Sequence, residues 1–207
     1  MDELPVFPLH AVTFPGAPLT LRVFEPRYRR LVDDVLPDGR FVVVAIRRGS
    51  EVGGPAAPHA VGVTVGGSAP EPQPDGTLRL DLVGRDRVAL IEPVGEDPYP
   101  TWRVAAYPDE GGAGSDDLEE ARRALIAYLR AVGVVAARPA VPSDPVAASY
   151  VLAAAAPGLP AVRQALLETP GAGERLAAVR DVFARETRLV QALGSGAAAL
   201  DLDVSPN

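Results

Sequence analysis

The spacing of apolar residues changes halfway along the 207-residue chain, and this constrains the fold more than any other feature. Up to about residue 108 the spacing is two. Leu19, Leu21 and Val23 alternate with Thr20 and Arg22; Val61, Val63 and Val65 with Gly62 and Thr64; Leu78, Leu80 and Leu82 with Arg79 and Asp81; Trp102 and Val104 flank Arg103. Successive strand side chains point to opposite faces, so each segment buries one face and wets the other. Phe41–Ile46 is apolar throughout and rich in β-branched residues, which predicts a central strand covered on both faces. Pro15-Gly16, Asp38-Gly39, Gly53-Gly54, Asp75-Gly76 and Gly84 supply turns between these runs. Many short strands so spaced predict an all-β barrel or sandwich. One helix interrupts it, from Pro26 to Leu36, with proline at its first position and Tyr28, Leu31, Val32 and Val35 on one face. The proline-rich stretch 71–76 is expected to be a mobile hairpin tip that holds no ladder.

From residue 116 the spacing becomes three and four. Asp116 is the expected cap of a first helix, with Glu119 completing a capping box. Its stripe is Leu118, Ala121, Leu125, Leu129 and Val132, and it stops before Arg138-Pro139. Asp144-Pro145 starts a second helix that Pro157-Gly158 ends, and Pro160 opens a short third one through Glu168. The last runs from about Gly173 to Leu193 on Leu176, Val179, Phe183, Val190 and Leu193. The class is α+β: strands with one inserted helix over 1–108, a glycine-rich flexible linker at 109–115, helices over 116–193 and a flexible tail at 194–207.

Missing residue types remove whole classes of chemistry. Cysteine is absent, which excludes disulfides and thiolate nucleophiles. All 20 basic residues are arginine. Without lysine there is no Walker-type phosphate loop, no Ser–Lys dyad and no Schiff-base site, hence no pyridoxal phosphate. The two histidines, His10 and His59, sit in proline-rich turns with no second ligand at helical spacing, so they are read as solvated loop residues and no metal or cofactor is expected. No serine lies in a Gly-x-Ser-x-Gly elbow.

Net charge is −7, with 11 arginines against 14 acids in residues 1–108 and 9 against 13 in 109–207. Neither half offers the basic surplus that drives nucleic-acid binding. The acidic Met1-Asp2-Glu3-Leu4-Pro5 opening has no apolar core of a secretory signal, and the longest apolar runs are far short of the roughly 20 residues that span a bilayer. A soluble cytoplasmic protein, monomeric or weakly dimeric and away from membranes, is expected.

The opening carries an ordered string: Leu4-Pro5-Val6-Phe7-Pro8-Leu9, then Val12, Phe14-Pro15-Gly16, and Leu19-Thr20-Leu21-Arg22-Val23-Phe24-Glu25-Pro26-Arg27-Tyr28. It resembles the N-terminal substrate-binding domain of Lon proteases. Later segments agree in order: Phe41–Ile46 with Glu51-Val52-Gly53, then Gly84-Arg85-Asp86-Arg87-Val88, Ser149-Tyr150-Val151-Leu152-Ala153 and Arg163-Gln164-Ala165-Leu166-Leu167-Glu168. The resemblance covers about residues 4–193. It implies a PUA-like β-barrel followed by a helical bundle, and a bacterial, ATP-independent, non-enzymatic protein that recognises unfolded or damaged polypeptide. Complete Lon proteases continue into ATPase and protease modules. This chain has no lysine for either, so a stand-alone substrate-binding-domain protein is expected, with a separate protease as its further partner. An RNA-related PUA-like module and a hydrolase are the alternative readings.

Pro8, Pro15, Gly16, Arg22, Phe24, Glu25, Pro26 and Arg27 are the motif positions. Structurally, Gly16 makes a turn, Phe24 and Tyr28 fill the core, and Glu25 pairs with Arg22 or Arg27. Functionally, Phe14 and Tyr28 rim a groove for an apolar peptide side chain, joined by Tyr99 and Trp102. The cleft between the two halves is the expected place for such a groove.

Overall fold

The computed structural model describes residues 1–37, 39–51, 56–134 and 140–201, with side chains up to residue 193. The expected turns at Asp38 and Gly53-Gly54 and the stop at Arg138-Pro139 lie outside the described residues.

The chain order is β1 (Asp2–Leu9), β2 (Pro18–Val23), α1 (Pro26–Val35), β3 (Phe41–Gly49), β4 (Ala56–Pro58), β5 (Val61–Gly67), β6 (Glu71–Pro72), β7 (Leu78–Gly95) and β8 (Thr101–Ala106). The helices α2 (Ser115–Ala131), α3 (Pro145–Ala155), α4 (Pro160–Glu168) and α5 (Ala172–Asp201) follow. The fold is mixed α/β, with a large, mainly antiparallel sheet. The strands run β1-β8-β7-β5-β3, and β3 pairs back onto β1, so this path closes on itself. β1 makes the closure possible. Asp2–Pro5 pairs antiparallel with β8, and Val6–Leu9 pairs parallel with β3. Alternation does not mark Asp2–Leu9, which carries two prolines, as a strand; it forms because each of its halves finds a partner strand. β3 is buried from Phe41 to Ala45, as its continuous apolar run predicts.

The proline-rich stretch differs from expectation. Glu71 and Pro72 hold a two-residue ladder with Arg79 and Leu78, and the Gln73 N–H donates to the Thr77 carbonyl at 2.8 Å. Proline is tolerated because β6 is a short edge strand.

Two glycines position the Phe14-Pro15-Gly16 turn. Gly16 adopts φ +77°, as expected of a turn glycine, and its N–H donates to the Gly84 carbonyl at 2.9 Å. Gly84 cannot carry a side chain, since a Cβ there would lie 2.2 Å from the Phe14 carbonyl oxygen. The turn is thus clamped on β7, and Phe14, fully buried, enters an apolar cluster shared with the helices. That cluster joins Val12, Phe14, Val61 and Val63 to Leu118, Leu125, Leu152, Leu176 and Phe183. One apolar cluster is therefore shared by the elements on both sides of residues 109–115.

The stretch read as a flexible linker is anchored at its first residue. Asp109 accepts from Arg175 at 2.8 Å, from Arg87 at 3.1 Å and from the Tyr150 hydroxyl at 2.8 Å. The Arg87 and Arg175 side chains are 1% and 0% exposed. One carboxylate therefore faces two buried cations. The remaining charge is met by carbonyls around the C-terminus of α4: Arg87 donates to Leu167 and Thr169, both at 2.7 Å, and to Pro170 at 3.3 Å. These are the unpaired, negatively polarised groups of a helix end. Glu110 adds a backbone bond to Pro170 at 3.0 Å. Glycine content suggested mobility, but the bonds come from residues far away in sequence.

The helices follow their expected stripes with two differences. α2 begins at Ser115, not after an Asp116 cap; the Gly114 N–H donates to Asp117 at 2.9 Å, so the acidic residue at the third position does the capping. Asp144 caps α3 as expected, accepting from the Ala147 N–H at 2.8 Å. α5 continues to Asp201, past the expected end at Leu193; the alanines at 197–199 favour helix, which offsets Gly194 and Gly196. Residues 202–207 lie outside the described residues. Leu176, Val179 and Phe183 are buried, but Leu193 is 75% exposed. The stripe leaves the core after Phe183.

Candidate ligand-binding face

Three hollows lie side by side on the strand half. The first has a volume of about 490 Å3 and is floored by Phe7, Leu19, Leu21 and Tyr28, with Phe24, Glu25 and Glu51 around it. The second, of about 130 Å3, is lined by Val6, Pro8, Arg27, Tyr28, Glu96, Pro100 and Trp102, with Ala56 and Pro58 of β4. The third, of about 320 Å3, is lined by Arg47, His59, Leu90 and Glu168, again with Pro58 and Trp102. Tyr28 is common to the first and second; Trp102 and Pro58 are common to the second and third. Together they trace one path from β2 and α1 across β1, β4 and β8 to the end of α4.

Local sequence explains how each aromatic residue arrives there. Pro26 starts α1, which places Tyr28 on its buried face. The Tyr28 ring stacks on Phe7 at 4.1 Å between centroids, and the Arg27 guanidinium lies 4.5 Å from its centroid. Arg27 pairs with Glu25 at 3.1 Å; Arg22 pairs with Asp75 of the hairpin tip. Burial pushes the Tyr28 hydroxyl up to about 12; Arg27 opposes this, while Glu25, Glu96 and Glu51 add to it. Trp102 stands in β8 opposite Leu4 of β1 and is partly exposed.

The four residues expected at a peptide groove divide. Tyr28 and Trp102 meet in the second hollow. Tyr99 is partly exposed nearby in sequence, and its hydroxyl donates to Asp34 at 3.3 Å. Phe14 does not rim a groove: it is fully buried where strands and helices meet, with Arg163 5.4 Å from its ring. The expected cleft between the halves is correspondingly filled, by the shared apolar cluster and the Asp109 network, and of the three hollows only the third touches one of the C-terminal helices, through Glu168 of α4. Phe24 corrects another reading. It is 53% exposed rather than core, and lies beside the first hollow. The signal was present in β2, where Leu21 and Val23 point inward and the next residue must point out. Glu96 and Pro58 carried no sequence signal for this face.

His10 is exposed, and its backbone N–H donates to the Glu51 carboxylate at 3.0 Å. His59 Nδ1 lies 3.6 Å from Glu168. Among the described residues no group of three or more His, Cys, Asp or Glu is placed to hold a metal, and no helix is long and apolar enough to cross a membrane.

The fold is a mixed α/β one that carries these neighbouring hollows on its strand half. The chain belongs to the Lon substrate-binding family: the model of the ATP-dependent protease La (LON) substrate-binding domain matches residues 3–185. It is 27% identical over 211 residues to Lon protease 1 of Herpetosiphon aurantiacus, covering 92% of this chain and 25% of that protein. It is 25% identical over 145 residues to a Lon protease of Flavobacterium johnsoniae, covering 69% of this chain and 18% of that one. The chain thus spans a quarter or less of these relatives. Among solved structures, the Lon N-terminal domain protein from Xanthomonas campestris is 26% identical with a TM-score of 0.65, over 86% of this chain and 96% of that one. The N-terminal domain of the Mycobacterium avium complex Lon protease shares the fold at 16% identity, with a TM-score of 0.67 over 88% and 98%.

Proposed function

We propose that this chain is a non-catalytic module that binds unfolded or damaged polypeptide in the cytoplasm and acts as an adaptor for a separate protease. In this reading residues 1–108 are a PUA-like barrel and 116–193 a helical bundle that braces it. The observation that carries the proposal is the row of neighbouring hollows that share Tyr28 and Trp102. Apolar surface interrupted by fixed polar groups suits many different apolar segments, and a row of this kind suits an extended chain better than a compact ligand. Phe24 and Trp102, both solvent-accessible, are its aromatic anchors, and Tyr99 is a flanking contact. Family membership supports the reading. An RNA-binding role is less well supported, because Glu25, Glu51 and Glu96 line the hollows and repel phosphate.

The test uses the single tryptophan. Addition of a permanently unfolded client should change Trp102 fluorescence, with structured RNA and ATP as parallel arms. Trp102→Ala, with an unchanged circular dichroism spectrum, should weaken client binding by roughly 1 kcal/mol or more. Unchanged affinity together with a silent tryptophan would remove the face from the proposal.

A further inference from the structure

Two buried polar atoms find no hydrogen-bond partner among the described residues, the Tyr28 hydroxyl and Arg27 Nε, and their residues border the second hollow. Both residues line it. Tyr28 is 2% exposed, and its ring is fixed by Phe7, so the hydroxyl cannot swing out to bulk water without disturbing the core. A buried donor without an acceptor is rare in a folded protein and calls for a ligand atom or an ordered water. Here two such donors belong to adjacent residues at the start of α1, beside a hollow whose other lining residues include Val6, Pro8, Glu96, Pro100 and Trp102.

Charge restricts what they can receive. Arg27 is already neutralised by Glu25 at 3.1 Å, and Glu96 lines the same hollow. A carboxylate or phosphate would add negative charge where the balance is already acidic. A neutral carbonyl oxygen meets the two donors without that penalty. Volume restricts the rest. At about 130 Å3 the hollow holds roughly four waters' worth of space, enough for one aliphatic side chain and not for a secondary-structure element.

We propose that the second hollow is a subsite for one uncharged residue of a bound extended polypeptide. The Tyr28 O–H and Arg27 Nε–H donate to a main-chain carbonyl oxygen of the segment, and an apolar side chain lodges against Val6, Pro8, Pro100 and Trp102. This rests on the polypeptide-binding reading and deepens it. Main-chain recognition by two donors gives affinity that is independent of sequence, and the acidic balance of Glu25 and Glu96 against Arg27 disfavours anionic residues at that one position. Tyr28 and Arg27 would thus set which segments of a client dock, while Trp102 and Phe24 supply contact area.

The experiment measures binding of dye-labelled, blocked five-residue peptides to the full chain by fluorescence anisotropy, with a dye-labelled, permanently unfolded protein as reference client. One peptide carries a central Leu, one a central Asp, and a third ends in a free carboxylate just after the Leu. Tyr28→Phe keeps the ring and removes only the hydroxyl; it should weaken the blocked Leu peptide about three- to tenfold with an unchanged thermal midpoint. Arg27→Lys, which keeps the charge and loses Nε–H, should act in the same direction. The central-Asp and free-carboxylate peptides should bind at least tenfold more weakly than the blocked Leu peptide. Wild-type affinity in both variants, or tightest binding by the free carboxylate, overturns the subsite. If Trp102→Ala still loses the client in that case, the broader polypeptide reading survives; if the wild type binds neither client nor peptide, both fall.

Discussion

Replacing Asp109 by asparagine should destabilise the protein far more than its place in a glycine-rich connection suggests. Its carboxylate receives two guanidinium groups and a phenol, with Arg175 at 2.8 Å, Arg87 at 3.1 Å and Tyr150 at 2.8 Å. Asparagine keeps the shape but removes the charge and turns one oxygen into a donor that faces cations. Breaking a buried ion pair by removing one partner costs about 3–5 kcal/mol, because the other charge stays buried. Two factors place the expected loss near the lower end. The Asp109 side chain remains 21% exposed, and Arg87 keeps its carbonyl partners at the end of α4. A loss of about 3 kcal/mol should lower the thermal midpoint by roughly 6–12 °C in a domain of this size. Asp2→Asn is the control: it removes the exposed pair with Arg40 at 2.9 Å and should cost no more than about 1 kcal/mol. Urea unfolding followed by circular dichroism reads both. If Asp109→Asn unfolds at the same urea concentration as Asp2→Asn, the two arginines are held by the carbonyls alone and the anchoring argument is wrong.

Two further outcomes follow from burial. Phe183 is fully buried and its ring lies 5.6 Å from Tyr128, so Phe183→Ala should cost about 3–5 kcal/mol; Leu193→Ala, at a site 75% exposed, should leave the urea midpoint within about 0.5 kcal/mol of wild type. Equal effects would mean that α5 packs along its whole length. Stability should also fall in alkali. The Tyr28 hydroxyl is pushed up to about 12 and that of Tyr150 is raised too, in both cases mainly by burial, whereas unfolded tyrosine titrates near 10. Between about pH 10 and 12 the native state therefore holds protons that the unfolded state releases, so this stabilisation is full below pH 10 and is lost as pH rises. The chain has neither lysine nor cysteine to obscure that window. Urea midpoints at pH 8, 10 and 11, with tyrosinate absorbance, check it; a flat profile, or all five tyrosines titrating together near pH 10, would refute the burial argument.

Much of the architecture was legible in the order of apolar residues. Alternation marked β2, β5, β8 and the start of β7; the spacing of three and four marked α1, α2 and α5, and prolines marked the bounds of α3 and the start of α4. These patterns are local: they state which face of an element is buried, and Leu176, Val179 and Phe183 obeyed that rule to full burial. The Gly16 turn and the Asp144 cap were equally local, since backbone geometry and a side chain three residues away decide them. Even the outward face of Phe24 was written in the alternation of β2, although its aromatic character suggested core.

What the tertiary structure alone decided is which buried face meets which. β1 became a strand because β8 and β3 offered it partners about 100 and 36 residues away, a pairing that no alternation encodes. Asp109 became an anchor because Arg87, Tyr150 and Arg175, separated from it by 22, 41 and 66 positions, converge there. The same holds for the candidate face. Phe14 and Tyr28 are 14 residues apart in one motif, yet one was drawn into the seam between strands and helices. The other was turned toward Trp102, 74 residues further on. Periodicity specifies burial within an element through short-range geometry. Hollows, ion networks and unpaired donors arise only where elements distant in sequence are packed against one another.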